Sequence, residues 1–358
     1  MGLTPTQRQI IAKARSLKGA PLDDAACAYL VAVIALDLGW SDDFGDLGLG
    51  SHRSVPDFFA GSIAEFDATG LDFYALFERL MEFQPAAETY FACLAHMYAR
   101  RLKYKSILEH QPLPTMDQVG PRALLQYGTL TSNALAALLF WRKWMFDIDN
   151  RAGQETGYLF EPIIAAALGG TPASAQRSPI KRRSDPVKGR QVDCIREVGG
   201  EKRAYEIKLR VTIAASGQGR FGEELEFPDD CKASGYVPVL VVLDPTEADK
   251  LTALRKRFAD AGGRSYVGAD AWAHLENEAG DPMGTFLEKY VRQPMEHVLA
   301  AEPVEKRALP EIRLRMEPTR FEAEVAGGTL RIERILDADP VDEESGDDDS
   351  QDELLLPV

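Results

Sequence analysis

The feature that most constrains this chain is a hairpin signature at residues 191–212. Gly199 and Gly200 supply a tight turn, and behind them Tyr205, Ile207, Leu209 and Val211 alternate with Glu206, Lys208, Arg210 and Thr212. A period of two belongs to a β-strand, so the apolar set lies on one face and the ionisable set on the other. Glu206 and Lys208 therefore project the same way. Asp193 lies thirteen positions before Glu206. A short hairpin through the two glycines closes that separation and makes the two carboxylates cross-strand neighbours.

Two carboxylates and a lysine gathered on one sheet edge are what metal-dependent phosphodiester hydrolysis requires. Magnesium takes hard oxygen ligands and keeps several waters, so Asp193, Glu206 and the backbone carbonyl of Ile207 make a candidate first shell for Mg2+. Lys208 is placed to orient the attacking water and to offset charge building on the phosphate. Arg210, next on the same face, is placed to touch the scissile strand. Taken alone, Glu and Lys two apart are most often a solvated face with a weak ion pair. The surroundings argue for more: an acidic helix-like segment precedes the hairpin, a basic run leads into Asp193, and a polar helix-like segment follows Lys208. After it, the apolar run at residues 237–243 reads as a buried strand.

Asp193 followed by Glu206-Ile207-Lys208, in a helix, hairpin, helix, strand order over roughly residues 151–245, resembles the PD-(D/E)xK nuclease superfamily and its type II restriction endonucleases. Val192 stands where that motif often has proline. The block at residues 215–225 is similar to a segment that follows the lysine in restriction enzymes, the ApaLI-like group among them. The resemblance implies a restriction-endonuclease-like α/β core, a mixed central sheet flanked by helices. It implies sequence-specific double-strand DNA cleavage leaving 5′-phosphate ends, a homodimer for palindromic sites, and a companion DNA methyltransferase linked genetically, not physically. In such enzymes a helix before the hairpin often supplies a further carboxylate, and Glu155 and Glu161 both qualify. Six positions are about 240° around a helix, so only one can face the site. Glu161 is the candidate, although neighbouring Pro162 fits only a first turn or a kink.

The DNA-contact candidates come from charge. Overall the chain is acidic, at −15, yet ten Asp and Glu with no Lys or Arg fall at residues 337–358, and without them 46 acidic face 41 basic residues. Arg177, Lys181, Arg182, Arg183, Lys188 and Arg190, with one acid, Asp185, sit just upstream of Asp193. Such a basic loop beside a carboxylate site suits a phosphate-bearing substrate. Gln218 and Arg220 are placed at a helix start, where free backbone N–H groups favour phosphate. Glu223 and Glu224 read as helix surface, with one of them open to the metal shell. The acidic tail reads as disordered, with two roles open to it, docking on a partner or mimicking nucleic acid.

At 358 residues the chain can bury a sizeable core. Cys27, Cys93, Cys194 and Cys231 are too scattered for a zinc site or a disulfide framework, which points to a cytoplasmic protein. The reading divides the chain into a helical N-terminal region (1–150), the nuclease core (151–300), a C-terminal β-hairpin region (301–336) and the tail (337–358). Helix-like spacing covers residues 4–17, 23–38, 71–83, 86–108 and 121–146, and again 154–168. Rival readings are a structure-selective repair or recombination nuclease and a DNA-binding module without catalysis.

Overall fold

A computed structural model of the protein describes residues 2–16, 21–44, 71–209, 218–300 and 311–335. They group into two compact units. One takes Met1–Ala99 with Tyr158–Val298, and the other takes Arg100–Gly157 with Leu299–Ser345.

In the first unit, capping residues set the helix starts. Thr4 and Gln7 form a reciprocal capping box at the head of Pro5–Arg15. Asp23 accepts from the Ala26 N–H before Asp24–Asp37, and Asp72 accepts from Tyr74 and Ala75 before Phe73–Phe83. Asp24–Asp37 is buried from Ala26 to Ala35, on every side, as its almost unbroken apolar sequence requires.

The sheet of this unit has five strands: β1 (Thr171–Ala173), β4 (Val192–Val198), β5 (Glu201–Lys208), β6 (Val237–Val242) and β7 (Arg264–Val267), in the order β1-β4-β5-β6-β7. The β1–β4 and β4–β5 pairs are antiparallel, whereas β5–β6 and β6–β7 are parallel, so the sheet is mixed. Helices Gln218–Ala233 and Asp249–Asp260 supply the crossovers that parallel strands need. Both faces are covered. Tyr205, Ile207, Val239, Val241 and Leu243 pack into the core built by the N-terminal helices and residues 163–168. The opposite face, Val192, Ala204, Leu240 and Val242, packs against Phe227, Cys231, Leu251, Leu254 and Phe258. The architecture is the mixed α/β sheet flanked by helices that the sequence implies.

In the second unit, Trp144 is buried against Phe321, with ring centroids 4.5 Å apart, among Ala323, Ile332, Trp141, Leu314 and Met316. Ile312–Glu317, Arg320–Val325 and Gly328–Glu333 (β8 to β10) form an antiparallel meander, not the single hairpin expected. Pro318-Thr319 makes a second turn ahead of the one at Gly327, whose φ is +91°. The stretch expected as two helices, 121–146 and 154–168, is instead a 3₁₀ turn, Gly120–Leu125, and then one helix, Ser132–Ala167. Between 146 and 154 the weak helix formers Asp147, Asp149, Asn150 and Gly153 each cost at most about 1 kcal/mol, so none of them stops propagation, and the helix also carries Pro162 in its interior, not at a first turn. All four cysteines are buried free thiols. Among the described residues no helix is long and apolar enough to cross a membrane.

Candidate active site

The β4–β5 hairpin runs from Val198↔Glu201 back to Cys194↔Tyr205, with Gly199 and Gly200 at φ +60° and +83°, values that glycine adopts without steric cost. Continuing that register one pair sets Asp193 opposite Glu206. There the Ile207 N–H donates to Asp193 Oδ2 at 2.7 Å. Lys208 turns its carbonyl toward β6, where it accepts from the Leu243 N–H. Carbonyls alternate sides along a strand, so that of Ile207 faces the β4 edge, where Asp193 stands.

On the other face of β5, Ala204 is buried in the core, while Glu206 and Lys208, farther along, are only partly buried. They stand in a cleft of 450 Å³ whose walls include Glu161, Asp193, Gln191, Arg182, Glu223 and Glu224. Lys208 Nζ donates to Glu206 Oε1 at 2.9 Å and pairs with Glu224 Oε1 at 3.2 Å. Glu161, Asp193, Glu206 and Lys208 are thus brought together. Glu155 is not among them, being buried with Arg100 and Lys103 at 3.5 and 3.7 Å. Those two cations serve this carboxylate, away from the cleft.

The electrostatics of the cleft are those of crowded carboxylates. Burial, Glu206 and Glu161 raise Asp193 well above the usual carboxylate range, against the opposing hydrogen bond from Ile207 and the charge of Lys208. Burial and Glu206 push Glu161 up to about 7, while Lys208 pulls it down. For Lys208, burial acts to lower the ammonium pKa, but Glu206, Glu224 and Asp193 outweigh it and hold the group well above its ordinary range. These carboxylates therefore favour the charged form of Lys208 in the metal-free cleft.

Asp193 and Glu206 offer hard oxygens that repel one another, a donor set that a hard divalent cation fits. Among the described residues no three Asp, Glu, His or Cys converge into a ready-made metal cage. What the site offers is a carboxylate pair with the Ile207 carbonyl beside it.

The basic run, expected as a loop, is a ribbon: Lys181–Arg182 (β2) pairs with Asp185–Gly189 (β3). Gly189 is required there, since a Cβ would sit 2.0 Å from the Ala175 carbonyl oxygen. The acidic helix Gln218–Ala233 holds the ribbon. Asp230 accepts from the Arg183 N–H at 2.8 Å and from Arg190 Nε at 2.9 Å, and Arg190 Nη2 donates to the Glu223 carbonyl at 2.6 Å. Arg182 pairs with Glu223 at 3.3 Å, Arg183 with Asp229 at 3.0 Å and Lys188 with Asp185 at 3.5 Å.

Arg190, expected to face DNA, is instead 5% exposed and fastens the ribbon; its partner Asp230 lies forty positions on, beyond any local signal. Arg177, Lys181, Arg183 and Lys188 are exposed, and Arg182 is half-buried on the cleft wall. Arg210 and the side chains of Gln218 and Arg220 lie outside the described residues. The sequence left Glu223 and Glu224 undecided; in the structure Glu224 meets Lys208 and Glu223 meets Arg182.

The family model described as ApaLI-like restriction endonuclease matches residues 65–292. The type II restriction enzyme ApaLI of Acetobacter pasteurianus is 43% identical over 354 residues, covering 92% of each chain. No solved structure matches. With a mixed α/β sheet carrying a carboxylate pair and a lysine on two inner strands, and with this match over most of its length, the chain belongs to the ApaLI-like restriction endonucleases.

Proposed function

We infer that this chain is a type II restriction endonuclease that makes sequence-specific double-strand cuts in DNA with Mg2+ as cofactor. The observation that carries the reading is Asp193, Glu206 and Lys208 held together in one cleft, within a chain of this family. Asp193, Glu206 and the Ile207 carbonyl would hold the ion. When bound, it supplies Lewis-acid stabilisation of the phosphate oxygens.

The chain's own residues do the rest. Lys208 positions the attacking water and offsets charge growing on the scissile phosphate. Glu161 lies at the wall as a third carboxylate whose protonation sets the charge of the cleft. Exposed Lys181, Arg183 and Lys188 on the ribbon, with Arg177 before it, offer phosphate contacts, and Arg182 reaches the cleft itself. By analogy with the family, cleavage would leave 5′-phosphate ends. Among the described residues each chain has one such centre, so cutting both strands of a palindrome calls for a two-fold dimer. A host of this activity needs a DNA methyltransferase that protects the same sequence.

The test is incubation with long unmethylated duplex DNA of known sequence, with magnesium and with chelator, followed by sequencing of fragment ends. Discrete magnesium-dependent fragments sharing a short sequence are expected. Asp193→Ala and Lys208→Ala should each lower cleavage by on the order of 10³-fold while leaving DNA binding within a fewfold of the parent. Undiminished cleavage in either variant would remove these residues from the mechanism.

A further inference from the structure

We propose that the surface formed by residues 124–130 and the adjoining face of helix Ser132–Ala167 is the contact through which two copies of this chain associate. The proposal rests on the nuclease reading for its biological purpose, and on the following observations for its location.

Leu125 is 96% exposed, Leu124 80%, Tyr127 78% and Leu130 47%, an uncommon density of bare apolar side chains for seven consecutive positions. The segment is anchored to its own unit. Val119 and Ala123 pack on Leu135 and Leu139 of the helix, and Gln126, between Leu125 and Tyr127, accepts a hydrogen bond from Arg142 at 3.2 Å. Arg142 lies one turn from Leu138 and one turn from Phe146, and these are 44% and 61% exposed. The anchor therefore brings the bare segment beside a bare helical row.

Its size and chemistry select the occupant. Six large side chains in this state of exposure present on the order of 800 Å², the area a standard protein interface takes from each partner. From residue 113 to residue 133 only Asp117 and Arg122 are charged, so the segment has little with which to attract phosphate. A largely apolar surface, whose Arg142 is engaged by Gln126 of the same chain, meets its own copy across a two-fold axis with few like charges opposed, as a self-complementary contact must.

The experiment compares the full chain with the Leu125→Asp/Tyr127→Asp double variant by sedimentation equilibrium, and assays both on a supercoiled plasmid with one recognition site. Because both positions are exposed, the variant should keep the circular dichroism and melting profile of the parent. The parent should sediment at twice its 39.5 kDa chain mass. The variant's dimer dissociation constant should rise at least tenfold, and the plasmid should pass through a nicked circle before becoming linear. A parent that sediments as a monomer, or a variant as dimeric as the parent, overturns the proposal. So does a variant that stays dimeric while losing DNA affinity, which would assign the surface to DNA. Loss of the dimer without any DNA cleavage by the parent would leave this surface standing and defeat the nuclease reading alone.

Discussion

Glu161 is the residue whose ionisation is most open to measurement, because burial and Glu206 place it near neutrality, at about 7. In the metal-free protein the folded state keeps a proton that the unfolded chain has already released at its ordinary carboxylate pKa. Stability therefore falls as pH rises from roughly 4.5 toward 7, and levels off above. A divalent cation favours the ionised cleft, so its affinity should climb with pH through the same window. Calorimetric titration of Mg2+ at pH 6 in buffers of different ionisation enthalpy should show proton release from the parent and less from Glu161→Gln. Equal release would move the proton to Asp193, which is raised for related reasons. The core of this site was legible in sequence because one strand period and one hairpin, both local, fix Asp193, Glu206 and Lys208. Arg190 misled for the opposite reason: its burial is decided by Asp230, which no spacing rule connects to it.

At the level of elements, the ribbon β2–β3 and the helix Gln218–Ala233 act as one device. The buried pair Arg190–Asp230, at 5% and 2% exposure, is its pin. Removing Asp230 leaves buried Arg190 with only the exposed Glu226, at 4.0 Å, as counter-charge, so Asp230→Ala should cost about 3 kcal/mol in chemical denaturation. Asp185→Ala, which breaks only exposed contacts, to Lys188 and to the Val187 N–H, should cost about 1 kcal/mol. Similar losses in the two variants would show that the ribbon is not held by its pin. Sequence showed a basic run but not a ribbon, since β2 has only two residues and its ladder is irregular. It likewise showed the β6 strand, whose apolar run is unbroken. What it missed, the continuity of Ser132–Ala167 and the third strand of the meander, depended on weak breakers whose effect tertiary packing decides.

For the molecule as a whole, charge is the property that must be reconciled with a DNA substrate. Most of the ribbon's cations already face carboxylates of the same chain, so the attraction available to phosphate is smaller than the basic count suggests. The excess of negative charge is concentrated at residues 337–358, and their removal takes the chain from −15 to 46 acidic against 41 basic residues. If the tail competes with DNA for the basic surface, truncation after Leu336 should tighten DNA binding severalfold at about 50 mM salt, within reach of a long Debye length. The gain should shrink as salt rises, because both the tail and DNA act through screened charge. Titrations of a short duplex against parent and truncated protein across a salt series, in calcium to block cleavage, decide the matter. Parallel lines of log affinity against log salt, with no offset, would show that the tail's charge is not felt where DNA binds. Convergence of the lines at high salt would identify it as an electrostatic brake on a surface whose own cations are largely spoken for.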